Sequence, residues 1–277
     1  MPKTHARVVR LDDGDMQVVE DGRSEAPAVL LLGNAAVSTA CWDPVVPLLA
    51  EAFHVIRVDL LIRGRSASTS GSFDIPMLAH RVAEALDQLG VGQVTVIGHS
   101  SGCTVATALA EQRPDKVIAL ALIDMGPNRQ AKIPEGLLVR LSLTKFPGRL
   151  LWRLRTRATV RKAARTAFTR PVDIPEAFIE HVLKVRHRDF VTSMRAPLEY
   201  LGQRSLDDRL KALGLPLLVI FGVDDQRWRS TSAAAYREIP TARVELLPGV
   251  GHTPMMEDPQ TTGQLLLDFA SAVVSTS

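Results

Sequence analysis

The chain has 277 residues, 46% of them hydrophobic and 23% charged, with a formal net charge of +3, which suits an ordinary globular protein with a sizeable core. No apolar run approaches the roughly 18 residues that cross a bilayer, the opening MPKTHARVVRLDDGDMQVVEDG is not a basic segment followed by an apolar one, and Cys41 and Cys103 offer neither zinc spacing nor a disulfide framework. A transmembrane segment and a disulfide scaffold are thereby excluded, and a cytoplasmic protein with two buried thiols is expected.

In chain order, the opening segment reads as two alternating strands joined by a DDGD turn. Short apolar runs follow at PAVLLLG (27–33), HVIRVDL (54–60), QVTVIG (93–98), KVIALALID (116–124), PLLVIFG (216–222) and ARVELLPG (242–249), and they read as strands buried on both faces. Helical patterns lie between them. In DIPMLAHRVAEALDQLG (74–90), Leu78, Val82, Leu86 and Leu89 recur at helical spacing. Strand and helix in alternation predict an α/β fold: a doubly wound, mostly parallel eight-stranded sheet with helices on both faces. In such sheets function gathers at the carboxyl ends of the strands.

The rhythm stops between residues 126 and 205, where helical segments are separated by Pro147, Pro171 and Pro175. We expect residues 1–125 and 206–277 to form the core domain and 126–205 a helical cap over its carboxyl edge. The cap is strongly basic, with 17 Lys and Arg against 6 Asp and Glu, whereas the remainder holds 16 against 24.

The stretch Gly98-His99-Ser100-Ser101-Gly102 follows a strand and precedes the small-residue helical run CTVATALAEQ. A nucleophile on so sharp a turn has φ > 0, and the residues two before and two after it must be small because they crowd each other. Ser100 has Gly98 and Gly102 at those positions, whereas Ser101 would have His99 and Cys103. Ser100 is therefore the candidate nucleophile, and the Ser101 backbone N–H, in the first turn of the helix, points at a developing oxyanion. His252, in the loop LLPGVGHTPMMEDP before the last helix, is the candidate base; Asp224 and Asp225, just past a strand in VIFGVDDQRW, are candidate acids to orient it. His5, His54, His80, His99, His181 and His187 are read as structural, with His99 turned away from the nucleophile.

With these pieces in place the chain resembles the α/β-hydrolase fold superfamily, in particular its lidded serine esterases and acyl hydrolases. The resemblance covers nearly the whole sequence: the opening hairpin, the serine turn, GVDD, GHTPMMEDP, and CWDPVVPLLAEAFHVIRVDLLIRGRS. It implies Asp225, three residues past the strand-ending Gly222, as the acid, with Asp224 and then Asp124 as alternatives. It also implies Asn34 as the second oxyanion donor beside Ser101. Two positions depart from the family pattern: Leu32-Gly33 stands where His-Gly is usual, and Ile62 replaces a glycine in Asp59-Leu60-Leu61-Ile62-Arg63-Gly64-Arg65-Ser66. Serine at the nucleophile position disfavours dehalogenase and epoxide-hydrolase chemistry, which use aspartate there. Thr253 after the histidine disfavours hydroxynitrile lyases, which carry lysine, and ring-cleavage hydrolases, which carry a bulky aromatic.

The reading is a serine hydrolase of a carboxylic ester or thioester that works through an acyl-enzyme, with no metal and no organic cofactor. A binding or cyclase-like use of the scaffold with an idle triad is the alternative. In the cap, PGRLLWRLRTRATVRKAARTAFTRP (147–171) reads as one helix with Arg149, Arg153, Arg157, Arg161 and Arg165 on a slowly curling stripe. Like charges at that spacing cost about 0.2–0.5 kcal/mol per pair, so an anion is expected opposite. It is either the acidic body of the chain, an acidic acyl carrier protein, an anionic membrane surface or a small anionic substrate. Nucleic acid is not expected, because no recognition module or aromatic interleaving accompanies the basic stretch.

Overall fold

The computed structural model describes residues 4–34, 39–60 and 74–276; Ile62, with residues 61–66 of its turn, lies outside the described residues. Eight strands form one sheet: β1 (His5–Leu11), β2 (Gly14–Asp21), β3 (Ala28–Leu32), β4 (His54–Val58), β5 (Val94–His99), β6 (Val117–Ile123), β7 (Leu217–Gly222) and β8 (Ala242–Leu247), in the order β1-β2-β4-β3-β5-β6-β7-β8. The pairs β1–β2 and β2–β4 are antiparallel, and β4, β3, β5, β6, β7 and β8 are mutually parallel.

The period of two along each strand sorts its side chains into two cores. On one face, Leu30 and Leu32 of β3, Val96 of β5, Leu120 and Leu122 of β6 and Val219 of β7 pack under α2 (Ile75–Gln88), α3 (Ser101–Gln112) and α9 (Leu206–Leu213). On the other, Val29, Leu31, Ile97, Ile123, Leu218 and Ile220 meet α1 (Val46–Leu49) and α11 (Pro259–Thr276). Burying each such side chain contributes about 1.5–3 kcal/mol.

β8 departs from the expectation of burial on both faces. Only Leu247 of that strand is buried, because β8 is the last strand of the sheet and pairs with β7 alone. An edge position gives alternate residues to solvent even in a parallel sheet.

Between β6 and α9 the chain is helical, in five segments: α4 (Leu137–Ser142), α5 (Gly148–Arg153), α6 (Arg157–Arg165), α7 (Glu176–Lys184) and α8 (His187–Gln203). Val160, Ile174 and Ile179 make a small core of their own there, with Phe168, Phe178 and Val182 packed against it. The single helix expected over 147–171 is thus two helices. Thr156 ends the first path and starts the second: its hydroxyl accepts from Thr159 N–H at 3.3 Å while Thr159 Oγ1 accepts from Thr156 N–H at 2.8 Å, a reciprocal cap that favours a new helix start over continuation. None of the helices is long and apolar enough to cross a membrane, among the described residues.

Candidate active site

The chain reverses its direction across the sheet between β3 and β5, and the crevice at their carboxyl ends is where such sheets hold their chemistry. Ser100 sits there, between β5 and α3, with φ 53° and ψ −125°. The turn is possible because both flanking positions lack a side chain. A Cβ on Gly98 would lie 2.7 Å from the Cys103 Cα, and one on Gly102 would lie 2.1 Å from the Leu32 carbonyl oxygen. The same position also brings the Leu32 and Gly33 carbonyls at the end of β3 against the start of α3.

The structure brings Ser100, His252 and Asp225 into one hydrogen-bonded row. Ser100 Oγ lies 3.0 Å from His252 Nε2, and His252 Nδ1 lies 2.9 Å from Asp225 Oδ2. All three are buried. Asp225 Oδ1 accepts from the N–H groups of Arg227 at 2.6 Å and Trp228 at 3.3 Å. Burial pushes this carboxyl up, but His252 and the two backbone donors outweigh it and hold Asp225 below the usual carboxylate range. Asp224 is exposed and turned outward.

Asp124 lies near the same histidine without holding it. It is fully buried, sits at φ 50°, and its Oδ1 accepts from Gly222 N–H at 2.8 Å. Burial, and then the negative charge of Asp225, raises its pKa well above the usual value. Two adjacent carboxyls cannot both ionise in a dry site, so Asp225 keeps the charge and Asp124 keeps the proton.

Two further residues support the array: His99, expected to be structural and turned away from the nucleophile, and Glu257, which the sequence did not single out. His99 is a neighbour of the histidine: its Nε2–H donates to the His252 carbonyl at 2.6 Å, and the two rings lie 5.0 Å apart. Burial and His252 lower its pKa to about 3, so it is neutral and serves as a fixed donor. Glu257, in α10 (Pro254–Glu257), gathers four backbone N–H groups: Thr169 at 2.8 Å, Arg170 at 2.9 Å, Gly251 at 3.0 Å and Thr253 at 3.2 Å. Two of these flank His252 and two belong to the helical insertion. The insertion also accepts directly from the histidine, His252 N–H to the Ala167 carbonyl at 3.0 Å. The position of Glu257 in GHTPMMED was the available signal, but nothing local shows where its carboxylate points.

Donor atoms of His99, Asp124 and His252 lie within 4.8 Å of one another. Both ring nitrogens of His252 are already engaged, by Ser100 and Asp225, so a metal there would have to displace one of these bonds. Cys41 and Cys103 are free and buried, and burial pushes the Cys41 thiol up to about 12. Both are inert packing residues.

The arginines divide between two helices. Arg149 and Arg153 are on α5, and Arg157, Arg161 and Arg165 are on α6. Arg157 pairs with Glu176 and with Glu180 at 3.2 Å, and Arg161 pairs with Glu176. The anion opposite the middle of the stripe is thus α7 of the same insertion.

A doubly wound sheet with serine on the turn after β5, an aspartate after β7 and a histidine after β8 defines a hydrolase-type fold. The alpha/beta hydrolase family matches residues 28–264, and the chain belongs to that family. It is 27% identical over 252 residues to an uncharacterized protein of Mycobacterium tuberculosis, covering 84% of this chain and 72% of the relative. It is 25% identical over 260 residues to the monoacylglycerol lipase abhd6-A of Xenopus laevis, covering 90% and 77%. Among solved structures it superposes on the haloalkane dehalogenase DbeA of Bradyrhizobium elkani with a TM-score of 0.82 at 21% identity over the full length of both chains, a likeness of fold.

Proposed function

We propose that the protein is a serine hydrolase that cleaves a carboxylic ester or thioester. The observation that carries this reading is the buried row Ser100–His252–Asp225 with Ser100 on a positive-φ turn. His252 Nε2 takes the hydroxyl proton as Ser100 Oγ attacks the acyl carbon; Asp225 holds the imidazole tautomer and stabilises its positive charge. The backbone N–H groups of Asn34 and Ser101 receive the oxyanion, aided by the positive end of α3. His252 then protonates the departing alcohol or thiol, leaving an acyl-enzyme. It next deprotonates a water that attacks the acyl carbon, and the proton returns to Ser100 as the acid leaves. In this reading residues 126–205 act as a cap on the body formed by 1–125 and 206–277.

An active-site fluorophosphonate probe tests the reading. The wild-type protein is expected to be labelled and to hydrolyse chromogenic esters of graded chain length, and Ser100→Ala to do neither. Folded wild-type protein that resists the probe and all esters would overturn it in favour of an idle array.

A further inference from the structure

The helical insertion carries an apolar surface that the body does not cover. Six large hydrophobic side chains stand out of α4, α5 and the turns beside them: Leu137 (69% exposed), Leu138 (75%), Phe146 (79%), Leu150 (48%), Leu151 (38%) and Leu154 (66%). α4 buries no residue at all. Exposed apolar side chains gathered in this way mark an interaction surface.

The two helices are held in place, so the exposure is built in. Trp152 turns inward, stacks on Phe190 with ring centroids 4.3 Å apart, and donates to the Val185 carbonyl at 2.9 Å. Arg155 donates to the carbonyls of Leu183 at 2.6 Å and Val185 at 2.9 Å, and His187 Nε2–H donates to the Ser142 carbonyl at 2.7 Å. With these groups anchored on the start of α8, the leucines of α5 have only the outer side left.

Charge selects the occupant. Residues 136–172 contain ten Lys and Arg and no Asp or Glu. Arg140, Lys145, Arg149 and Arg153 are exposed on the same two helices and the turn between them as the apolar side chains, and they form no ion pair among the described residues, unlike Arg157 and Arg161 with their glutamates. Protein interfaces fix register with charges of both signs. A field of one sign, with Leu and Phe protruding through it, matches a layer of phosphates over hydrocarbon.

We propose that the α4–α5 face docks the protein on a lipid bilayer with anionic headgroups. The docking does not depend on the hydrolase reading; taken together with it, the substrate is an acyl ester drawn from that bilayer.

Co-sedimentation of the full chain with vesicles tests this. The wild type is expected to pellet with phosphatidylcholine–phosphatidylglycerol vesicles, to bind phosphatidylcholine vesicles far less, and to be released by salt. Leu137→Ser/Leu138→Ser/Phe146→Ser and Arg149→Glu/Arg153→Glu should each weaken binding by about tenfold or more, with the circular dichroism and the soluble-ester turnover of the wild type retained. Arg157→Ala/Arg161→Ala should bind as the wild type does. Ser100→Ala should pellet normally, which separates docking from catalysis. Wild-type protein that stays in the supernatant with anionic vesicles, or surface variants that pellet as well as wild type, would overturn the proposal. So would capture by an acidic carrier protein in place of vesicles.

Discussion

Ser100 adopts its strained backbone because the strand before it and the helix after it approach too closely for any gentler turn, and Gly98 and Gly102 make the approach possible. Which carboxylate serves the histidine is a matter of reach: Asp225 touches His252 Nδ1, and Asp124, buried beside it, touches the Gly222 N–H. Asp225→Asn is expected to lower kcat by roughly four orders of magnitude, because the amide turns the imidazole to the wrong tautomer. Asp124→Asn, whose amide resembles a neutral carboxyl, should lower it far less. The raised pKa of Asp124 gives a sign for stability. The unfolded chain releases this proton near pH 3.9 and the folded chain only at higher pH, so wild-type stability falls as pH rises between the two values, by up to about 1.4 kcal/mol per pH unit. Asp124→Asn lacks this dependence, so its urea midpoint relative to wild type should rise between pH 4 and pH 8. A constant difference would show that Asp124 ionises normally. Asp225 contributes with the opposite sign: its stabilisation is present above the unfolded pKa and is lost as acid protonates the folded carboxylate.

Among the elements, the histidine loop shows how little of a site its own sequence explains. α10 supplies only four residues, yet Glu257 ties the backbone on both sides of His252 to Thr169 and Arg170 of the insertion. Hydrogen bonds to a charged acceptor are each worth about 1.5–3 kcal/mol, so Glu257→Gln should loosen the loop. We expect at least a tenfold fall in kcat and in the rate of fluorophosphonate labelling with a smaller change in KM, and Glu257→Asp to restore part of it. Labelling at the wild-type rate would reduce Glu257 to a packing role. The arginine run teaches the converse. Its period of four was legible in the sequence and suggested one helix, but the Thr156–Thr159 cap broke it in two. Arg157 and Arg161 on α6 then found glutamates on α7, and Arg149 and Arg153 on α5 remained exposed on the helix that carries Leu150 and Leu151.

For the whole molecule, the sheet is the scaffold that holds Ser100, Asp225 and His252, and its strands differ in what they bear. Leu218, buried in the middle of β7, packs with Ile123, Ile220 and Leu266 on one face, whereas Val244 on β8 is half-buried at the edge. Leu218→Ala should cost about 2–5 kcal/mol and Val244→Ala about 1 kcal/mol, as read from urea denaturation. Equal losses would mean that β8 is covered by something outside the chain.

The sequence by itself determined the succession of strands along the chain, the α/β class, the serine turn and the candidate histidine, because each depends on neighbours within a few residues: short apolar runs, helical spacing, and glycines two places either side of Ser100. Asp225 was singled out from Asp224 only through the resemblance to a family. The tertiary structure alone decided that Asp225 and not Asp124 meets the histidine, that His99 and Glu257 brace it, that β8 is an edge, and that Arg157 and Arg161 meet glutamates of α7 while Arg140, Lys145, Arg149 and Arg153 stay exposed. The contacts of Asp225 and of His99 with His252 span 27 and 153 positions of the chain, those of Glu257 with the insertion span 88 and 87, and burial and charge at such meetings exist only once the sheet and the insertion have packed.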